Sequence, residues 1–527
     1  MSLINGTSQP TSLPEKSLQQ LLQPFGISAP DIAITDLALD SRDVAIHKAF
    51  LAIVGHQLDG RDFIPQAISL GAKAILAETL DETQHGMTEM REHSVIIQFY
   101  QLGAQVSAIA EVFFDAPAKY LQSVAVTGTN GKTSTAHFVA QLGNLLGGKV
   151  ATIGTLGAGF IDNFSSTINT TPDAITMQRV LAELLAKGAT GVAYEASSHA
   201  LVQNRIKRLA TDVAIFTNLT RDHLDYHGSM AEYGKAKRLL LRQPDLKYAV
   251  LNCNDADYVN WLAALPEQVS PVLFGIVDSA NGGIETLLQQ AQQHCSQAIM
   301  HYCFAEELAF STPGIRFQIN SSWGTATVTS SLLGEFNVAN LLAAMSAQLC
   351  LGADLATLSQ QISNLTAVPG RMELFKAASG TTFVVDYAHT PDALEQVLSS
   401  LKCHMSGQLW CVFGCGGERD QGKRPLMGRI AEQAADRIIL TSDNSRSEST
   451  NSIIQDIQNG MITVDPNQVT AISSRKAAIQ FALANAQPSD IVLLAGKGHE
   501  TYQQLGAATI EYDERAYLTT LLNEDQP

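Results

Sequence analysis

Gly128-Thr129-Asn130-Gly131-Lys132-Thr133 sets glycines, a lysine and a hydroxyl in the order that gripping a phosphate chain requires. Between a strand and a helix, such a loop presents unpaired N–H groups and the positive end of the helix dipole. Lys132 adds a charge able to reach the β and γ phosphates of a nucleotide, and Thr133 a hydroxyl for Mg²⁺. The strict P-loop pattern places a glycine at position 126, where this chain has Val126, and the extra glycine lies at Gly128. The match is to a variant of the motif. A glycine turn that merely caps a helix is the bland alternative, disfavoured because strand, loop, Lys-Thr pair and helix all agree.

Two further strand ends carry groups that a buried sheet excludes unless they work there. Glu195 follows the apolar run Gly191 to Tyr194, and His223 lies in Thr220-Arg221-Asp222-His223-Leu224-Asp225 after Val213 to Phe216. Ligands collect at the carboxyl ends of open α/β sheets. Glu195 is a hard oxygen ligand suited to Mg²⁺, and His223 could complete the shell. A loop histidine on its own is more often a surface residue, but the shared rim favours the ligand reading.

The elements that must position these groups are legible as an alternation. Residues 1 to about 117 hold short apolar runs, Ala49 to Val54, Ala72 to Leu76 and Val95 to Phe99, with a periodic segment Phe63 to Leu70: a small α/β domain. From Leu121 to Val126 a strand leads into the glycine loop, and Phe138, Val139, Leu142 and Leu146 then share one helical face. Strands at Val150 to Ile153, Gly191 to Tyr194, Val213 to Phe216 and Tyr248 to Leu251, alternating with helical stretches such as Ala174 to Lys187, predict a P-loop-type, doubly wound parallel sheet domain over 118–367. The Pro-Gly break in Val368-Pro369-Gly370-Arg371 opens a third, Rossmann-like domain over 368–527, with strands Thr382 to Val385, Leu409 to Phe413, Arg437 to Leu440 and Ile491 to Leu494. The stretch from Pro266 to Ser330 is the least informative.

Bulk properties bound the partners. A chain of 527 residues, 45% hydrophobic and 16% charged, has the material for several cores. Its formal charge of −17 argues against nucleic acid or an anionic membrane as the main partner. Seven cysteines without a C-x-x-C pair suggest neither a disulfide framework nor structural zinc. With no basic leader and no run of 18 apolar residues, a cytoplasmic location is expected.

Gly128 to Ser134, Asn218-Leu219-Thr220-Arg221-Asp222-His223-Leu224-Asp225 and Gly334-Glu335-Phe336-Asn337-Val338-Ala339-Asn340 together resemble the Mur ligases over nearly the whole chain. The resemblance implies three domains, binding UDP-sugar, ATP and an incoming amino acid. It implies a monomeric ligase that adds meso-diaminopimelate to UDP-N-acetylmuramoyl-L-alanyl-D-glutamate in peptidoglycan synthesis, with ATP as co-substrate and Mg²⁺ as cofactor. Leu39, Ser41, His56, Gln57 and Leu58 match the uridine-diphosphate contacts, and Asn169, Thr170, Thr171, Ser197, Gln203 and Arg205 the segments that hold the muramoyl peptide. Gly128, Thr129, Asn130, Gly131, Lys132, Thr133, Ser134 and Thr135 match the phosphate grip; Asn337, Asn340, Arg371, Asp386 and His389 match the adenosine end. Lys132, Glu195, His223 and Lys237 take catalytic positions, and Thr133, Glu195, His223 and Lys237 the metal site. Lys237, beside Tyr233 and Ala236, falls where the family carries a carbamylated lysine; spacing alone favours a solvated lysine on a helix face.

Arg419, Asp443, Asn444, Ser445, Arg446, Gly496 and Glu500 match the family's diaminopimelate contacts, on loops expected to face one rim. Glu500 suits an ammonium and the arginines carboxylates. Diaminopimelate-adding members carry Asp-Asn-Pro-Arg in the middle loop; Ser445 replaces the proline, which leaves the loop's preorganisation open. Lysine-adding and dipeptide-adding Mur ligases, a folylpolyglutamate synthetase and an ATP-binding scaffold without turnover are the alternatives. Arg446 speaks against lysine, the Ser41 and His56 segments against the folate reading, and the retained Lys132, Glu195, His223 and Lys237 against the scaffold.

Overall fold

The computed structural model describes residues 15–524 except 56, 57, 162, 278–282, 312 and 313. In the first sheet Asp36–Ala38, Lys48–Ala52, Ala74–Thr79 and Ser94–Tyr100 run parallel, with Thr88–Arg91 antiparallel at the edge. Alternate residues feed two cores, Leu51, Leu76 and Ile97 on one face and Phe50, Ile75 and Ile96 on the other. Strands covered on both faces read as unbroken apolar runs, which is why these were visible in the sequence. The helix Ala174–Ala186 of the next sheet lends Ala174, Ile175 and Ala182 to the first of those cores, and its Arg179 pairs with Asp36 at 2.9 Å.

The central sheet has eleven strands. From Val150–Gly154 through Gly191–Glu195, Gln122–Thr127, Val213–Phe216, Tyr248–Asn252, Ser270–Ile276 and His301–Ser311 the neighbours are parallel, and antiparallel hairpin strands extend both ends. Helices Lys132–Leu145 and Glu335–Cys350 share one face of it and Ala174–Ala186 covers the other. The sheet is thus doubly wound. Its strand Gln122–Thr127 sits between Gly191–Glu195 and Val213–Phe216, so the chain's order reverses around the glycine loop and opens a crevice there. The uninformative stretch before Ser330 contains strands Ser270–Ile276, His301–Ser311, Gly314–Ser321 and Gly324–Ser330.

The third sheet orders Glu373–Lys376, Thr382–Asp386, Ile491–Ala495, Leu409–Phe413, Arg437–Leu440 and Val469–Ala471, parallel except for the first strand. Ile491–Ala495 is the last of these in sequence but lies between Thr382–Asp386 and Leu409–Phe413, which gathers the loops after all three at one edge. The buried pair Arg475 and Glu514 braces that edge, Arg475 Nη2 donating to Ala495 O at 2.9 Å. The architecture is α/β with parallel sheets, as the alternation predicts. No helix among the described residues is long and apolar enough to cross a membrane.

Candidate functional site

The helix Lys132–Leu145 starts on Gly131, whose φ of +81° suits glycine, and a Cβ there would lie 2.5 Å from Asn340 Oδ1. Neighbouring strand ends hold the loop: Asn130 N donates to Asn218 Oδ1 at 2.8 Å, Thr129 N to Asn218 O at 3.0 Å, and Thr217 Oγ1 to Asn130 O at 2.6 Å. The first N–H groups of a helix have no partner within it, so this turn offers donors to an anion. Lys132 Nζ curls back to Gly128 O and Thr129 O, both at 2.8 Å, and burial lowers its pKa against the opposing pull of Glu195. Ser134 is half-buried on the same turn, and Thr135 Oγ1 donates to Asn340 Oδ1 at 3.2 Å.

Glu195 is 2% exposed at its strand end. Its Oε1 accepts from Thr133 Oγ1 at 2.9 Å and Thr155 N at 2.8 Å, and Oε2 from Thr155 Oγ1 at 3.2 Å. Lys237, 1% exposed, donates to Gly128 O at 2.7 Å and stands 4.4 Å from the Tyr233 ring centroid. Burial first, and Lys132 second, push the Lys237 ammonium well below the usual lysine range, with Asp222 opposing. His223 is exposed at φ +52°, with Nε2 3.4 Å from Asp222 Oδ2 and its ring 4.9 Å from His199 and 6.2 Å from Tyr233. The structure therefore joins Thr133 to Glu195 directly and Lys237 to the same loop, while His223 reaches the group through the rings of His199 and Tyr233. Among the described residues no three His, Cys, Asp or Glu side chains gather tightly enough to cage a metal. Thr133 and Glu195 still form a pair of hard oxygen donors beside the phosphate loop, which fits a cation that keeps most of its shell in water and phosphate, as Mg²⁺ does.

Asn337 and Asn340 sit in the first turns of Glu335–Cys350, Asn337 Nδ2 donating to Leu333 O at 2.7 Å and Asn340 Nδ2 to Asn337 Oδ1 at 3.2 Å. In the third sheet Asp386 accepts from the N–H groups of Met372 and Ala388, each at 2.8 Å, and burial raises its pKa against the pull of Arg371. The Arg371 guanidinium lies 4.6 Å from the Tyr387 ring centroid, its buried Nε unpaired, and the His389 ring packs on the same tyrosine at 4.6 Å. Burial lowers the pKa of His389, whose Nδ1 donates to Tyr387 O at 2.8 Å. Tyr387 is thus the hub of Arg371, His389 and His499, and nothing in the sequence marked it.

Residues matched to the UDP-sugar and peptide fall into two groups. In the first sheet's unit, Ser41 Oγ donates to Gln66 Oε1 at 2.8 Å, Leu39 is half-buried and Leu58 exposed; His56 and Gln57 lie outside the described residues. The other group adjoins Glu195. Thr171 Oγ1 donates to Glu195 O at 2.6 Å and accepts from Ser197 N at 3.1 Å, and the Thr170 and Thr155 hydroxyls are 3.2 Å apart. Arg205 Nη1 donates to Thr171 O at 2.8 Å and its Nη2 to Gln203 Oε1 at 2.7 Å, while exposed Asn169 accepts at its carbonyl from Thr167.

The three loops of the third sheet do meet. Arg446 Nη1 donates to Gly417 O at 2.7 Å, Asn444 Nδ2 to Glu500 Oε2 at 3.0 Å, and a Cβ on Gly496 would lie 2.6 Å from Asp443 Oδ2. Arg419 is exposed on the first loop. Among the described residues neither Arg419 nor Arg446 has a carboxylate within 4.0 Å. The Ser445 N–H that a proline would lack donates to Asp443 O at 3.0 Å, and Gln503 Nε2 also holds that carbonyl at 3.0 Å. Hydrogen bonds therefore pin the loop where the family uses a ring. Lys497, inside the third loop, is fully buried, with Nζ 2.6 Å from Glu500 Oε2. Its signal in the sequence is the pair of opposite charges three residues apart, Lys497 and Glu500.

Family models match in three blocks: "Mur ligase family, catalytic domain" at residues 33–115, "Mur ligase middle domain" at 126–348 and "Mur ligase, glutamate ligase domain" at 370–498. Among solved structures, one described as UDP-N-acetylmuramoyl-L-alanyl-D-glutamate–2,6-diaminopimelate ligase is 35% identical, covers 98% of this chain and 100% of its own, and superposes with a TM-score of 0.70. MurF from Acinetobacter baumannii, 18% identical with 97% and 99% covered and a TM-score of 0.62, shares the fold. So does folylpolyglutamate synthase from Mycobacterium tuberculosis, 16% identical with 75% and 92% covered and a TM-score of 0.57.

Proposed function

Because this chain belongs to the Mur ligase family, we propose that it couples ATP cleavage to adding meso-diaminopimelate to UDP-N-acetylmuramoyl-L-alanyl-D-glutamate. The observation that carries this reading is the rim of the third sheet, where, among the described residues, Arg446 and Arg419 have no carboxylate partner, beside Glu500 and Asn444. An amino acid with two carboxylates and two ammonium groups satisfies such a rim; L-lysine leaves an arginine unpaired. Discrimination against an analogue that lacks a required polar partner reaches roughly 10⁴-fold in sites built for that bond. The 35% identical structure named for that reaction supports the same choice.

In the proposed reaction the D-glutamyl γ-carboxylate attacks the γ phosphorus of ATP, ADP leaves, and an acyl phosphate forms. The free amine of diaminopimelate then attacks the acyl carbon, the C–O bond breaks, phosphate leaves and one proton is released. Lys132 and the N–H groups opening the helix Lys132–Leu145 bind the phosphates and stabilise the charge in flight. Thr133 and Glu195 would hold Mg²⁺, which would neutralise phosphate charge. Lys237, whose Nζ lies 2.7 Å from Gly128 O, is the lysine that would carry the carbamate. Arg205 grips a carboxylate of the muramoyl peptide, and Asn337, Asn340, Arg371, Asp386 and His389 hold the adenosine end from two sides, so closure of the third domain brings amine and acyl phosphate together.

The test is phosphate release by purified protein. Turnover is expected only when Mg²⁺, ATP, UDP-muramoyl dipeptide and meso-diaminopimelate are all present; equal turnover with L-lysine sinks the substrate assignment.

A further inference from the structure

Lys497 lies wholly inside the third-sheet rim, its side chain at 0% exposure. Its three donors are all used: Nζ donates to Glu500 Oε2 at 2.6 Å, Tyr502 O at 2.6 Å and Asn444 Oδ1 at 3.1 Å. Those bonds orient two side chains at once. Asn444 Oδ1 accepts from Lys497 and from Gln504 N at 3.0 Å, so its Nδ2 is left to donate to Glu500 Oε2 at 3.0 Å. Glu500 is therefore tethered through Oε2 by two donors, while the Arg446 guanidinium donates to the carbonyls of Gly417 and Asn444. Glu500, Arg446 and Arg419 share the space around the Tyr502 phenol, which Glu500 pushes up in pKa and the two arginines pull down. Asn444 links the two groups, its Nδ2 on Glu500 and its carbonyl 3.4 Å from Arg446 Nη1, so a Glu500 released from Lys497 shares the rim with an arginine that has no carboxylate within 4.0 Å among the described residues.

We propose that Lys497 is a positioning residue that sets amino-acid specificity: by tethering Glu500 and Asn444 it keeps Glu500 from neutralising Arg446, and so reserves the arginines for the second carboxylate of a dicarboxylic diamino acid. The inference rests on reading this rim as the amino-acid site. It assigns the preference to a residue that need not touch the substrate.

Four proteins test it, the wild type, Lys497→Met, Lys497→Arg and the double variant Lys497→Met with Glu500→Gln, assayed by phosphate release with ATP, UDP-muramoyl dipeptide and either meso-diaminopimelate or L-lysine. In Lys497→Met the ratio of kcat/KM for diaminopimelate over lysine is expected to fall about tenfold or more, through the KM for diaminopimelate, with the KM for ATP within about twofold. The double variant should regain part of the ratio because the released carboxylate is gone, and Lys497→Arg should keep it. A ratio unchanged in Lys497→Met, or KM values for ATP and diaminopimelate rising together without recovery in the double variant, overturns the inference. Should Lys497→Met not fold, a folded Lys497→Arg that has lost the preference overturns it equally. A wild type without preference is a different result, the failure of the proposed substrate.

Discussion

Thr133 Oγ1 donates to Glu195 Oε1 at 2.9 Å, tying the first turn of the phosphate-loop helix to the end of the adjacent strand. The same oxygen takes Thr155 N at 2.8 Å, so the carboxylate is fixed from both sides of the crevice. Glu195→Gln keeps size and shape but removes that charge. Turnover is expected to drop on the order of 100-fold or more while the thermal midpoint moves by less than about 4 °C. Steady-state assays over a Mg²⁺ titration check it, and normal turnover at low Mg²⁺ would remove Glu195 from the reaction.

Lys237 is a buried amine whose ammonium form is disfavoured by burial and by Lys132. A neutral amine is what reacts with CO₂, so the environment favours the carbamate that the family resemblance implies. Incubation with isotopically labelled bicarbonate should label the wild type and not Lys237→Ala, and that variant should lose on the order of 100-fold in turnover. Equal labelling of the two proteins would show that the modified lysine is another one.

Arg446→Ala removes a guanidinium held by Gly417 O at 2.7 Å and leaves the loop's own bonds, Ser445 N to Asp443 O among them, in place. Truncating one partner of a charge pair costs about 2 kcal/mol or more, roughly thirtyfold. That loss should fall on kcat/KM for diaminopimelate and spare the KM for ATP. Parallel loss in both would mean that the arginine supports the fold and not the amino acid.

Legibility in the sequence followed burial. Leu409–Phe413 and Ile491–Ala495 are apolar on both faces and could be read directly, whereas Glu373–Lys376 and Val469–Ala471 are short edge strands with mixed exposure. The strand Gly324–Ser330 buries only Val328 and Ser330 and exposes Thr325, Thr327 and Thr329, too weak an alternation to announce itself. Glu195 and His223 stood out because a sheet interior excludes such groups at strand ends, whereas Arg446 was legible only through the family resemblance. Their supports did not. Thr155 acts on a carboxylate 40 residues away, and Tyr387 gathers Arg371 and His389 through ring contacts that no spacing encodes.

His137 lies on the buried side of the helix Lys132–Leu145, 3% exposed, with Nδ1 lacking a partner. Burial first, and Arg371 second, hold its pKa down at about 4. Its folded value thus lies below the ordinary 6.5, so the unfolded chain binds the extra proton between those two values and stability rises with pH across that window. The contribution is complete above about pH 6.5 and is lost as pH falls toward about 4; at pH 5 the loss amounts to about 2 kcal/mol. His137→Phe removes the titrating group and puts an apolar ring in the same space. Thermal unfolding of both proteins at pH 7 and pH 5 should show a smaller fall in midpoint for the variant, and an equal fall would place the acid sensitivity of this chain elsewhere.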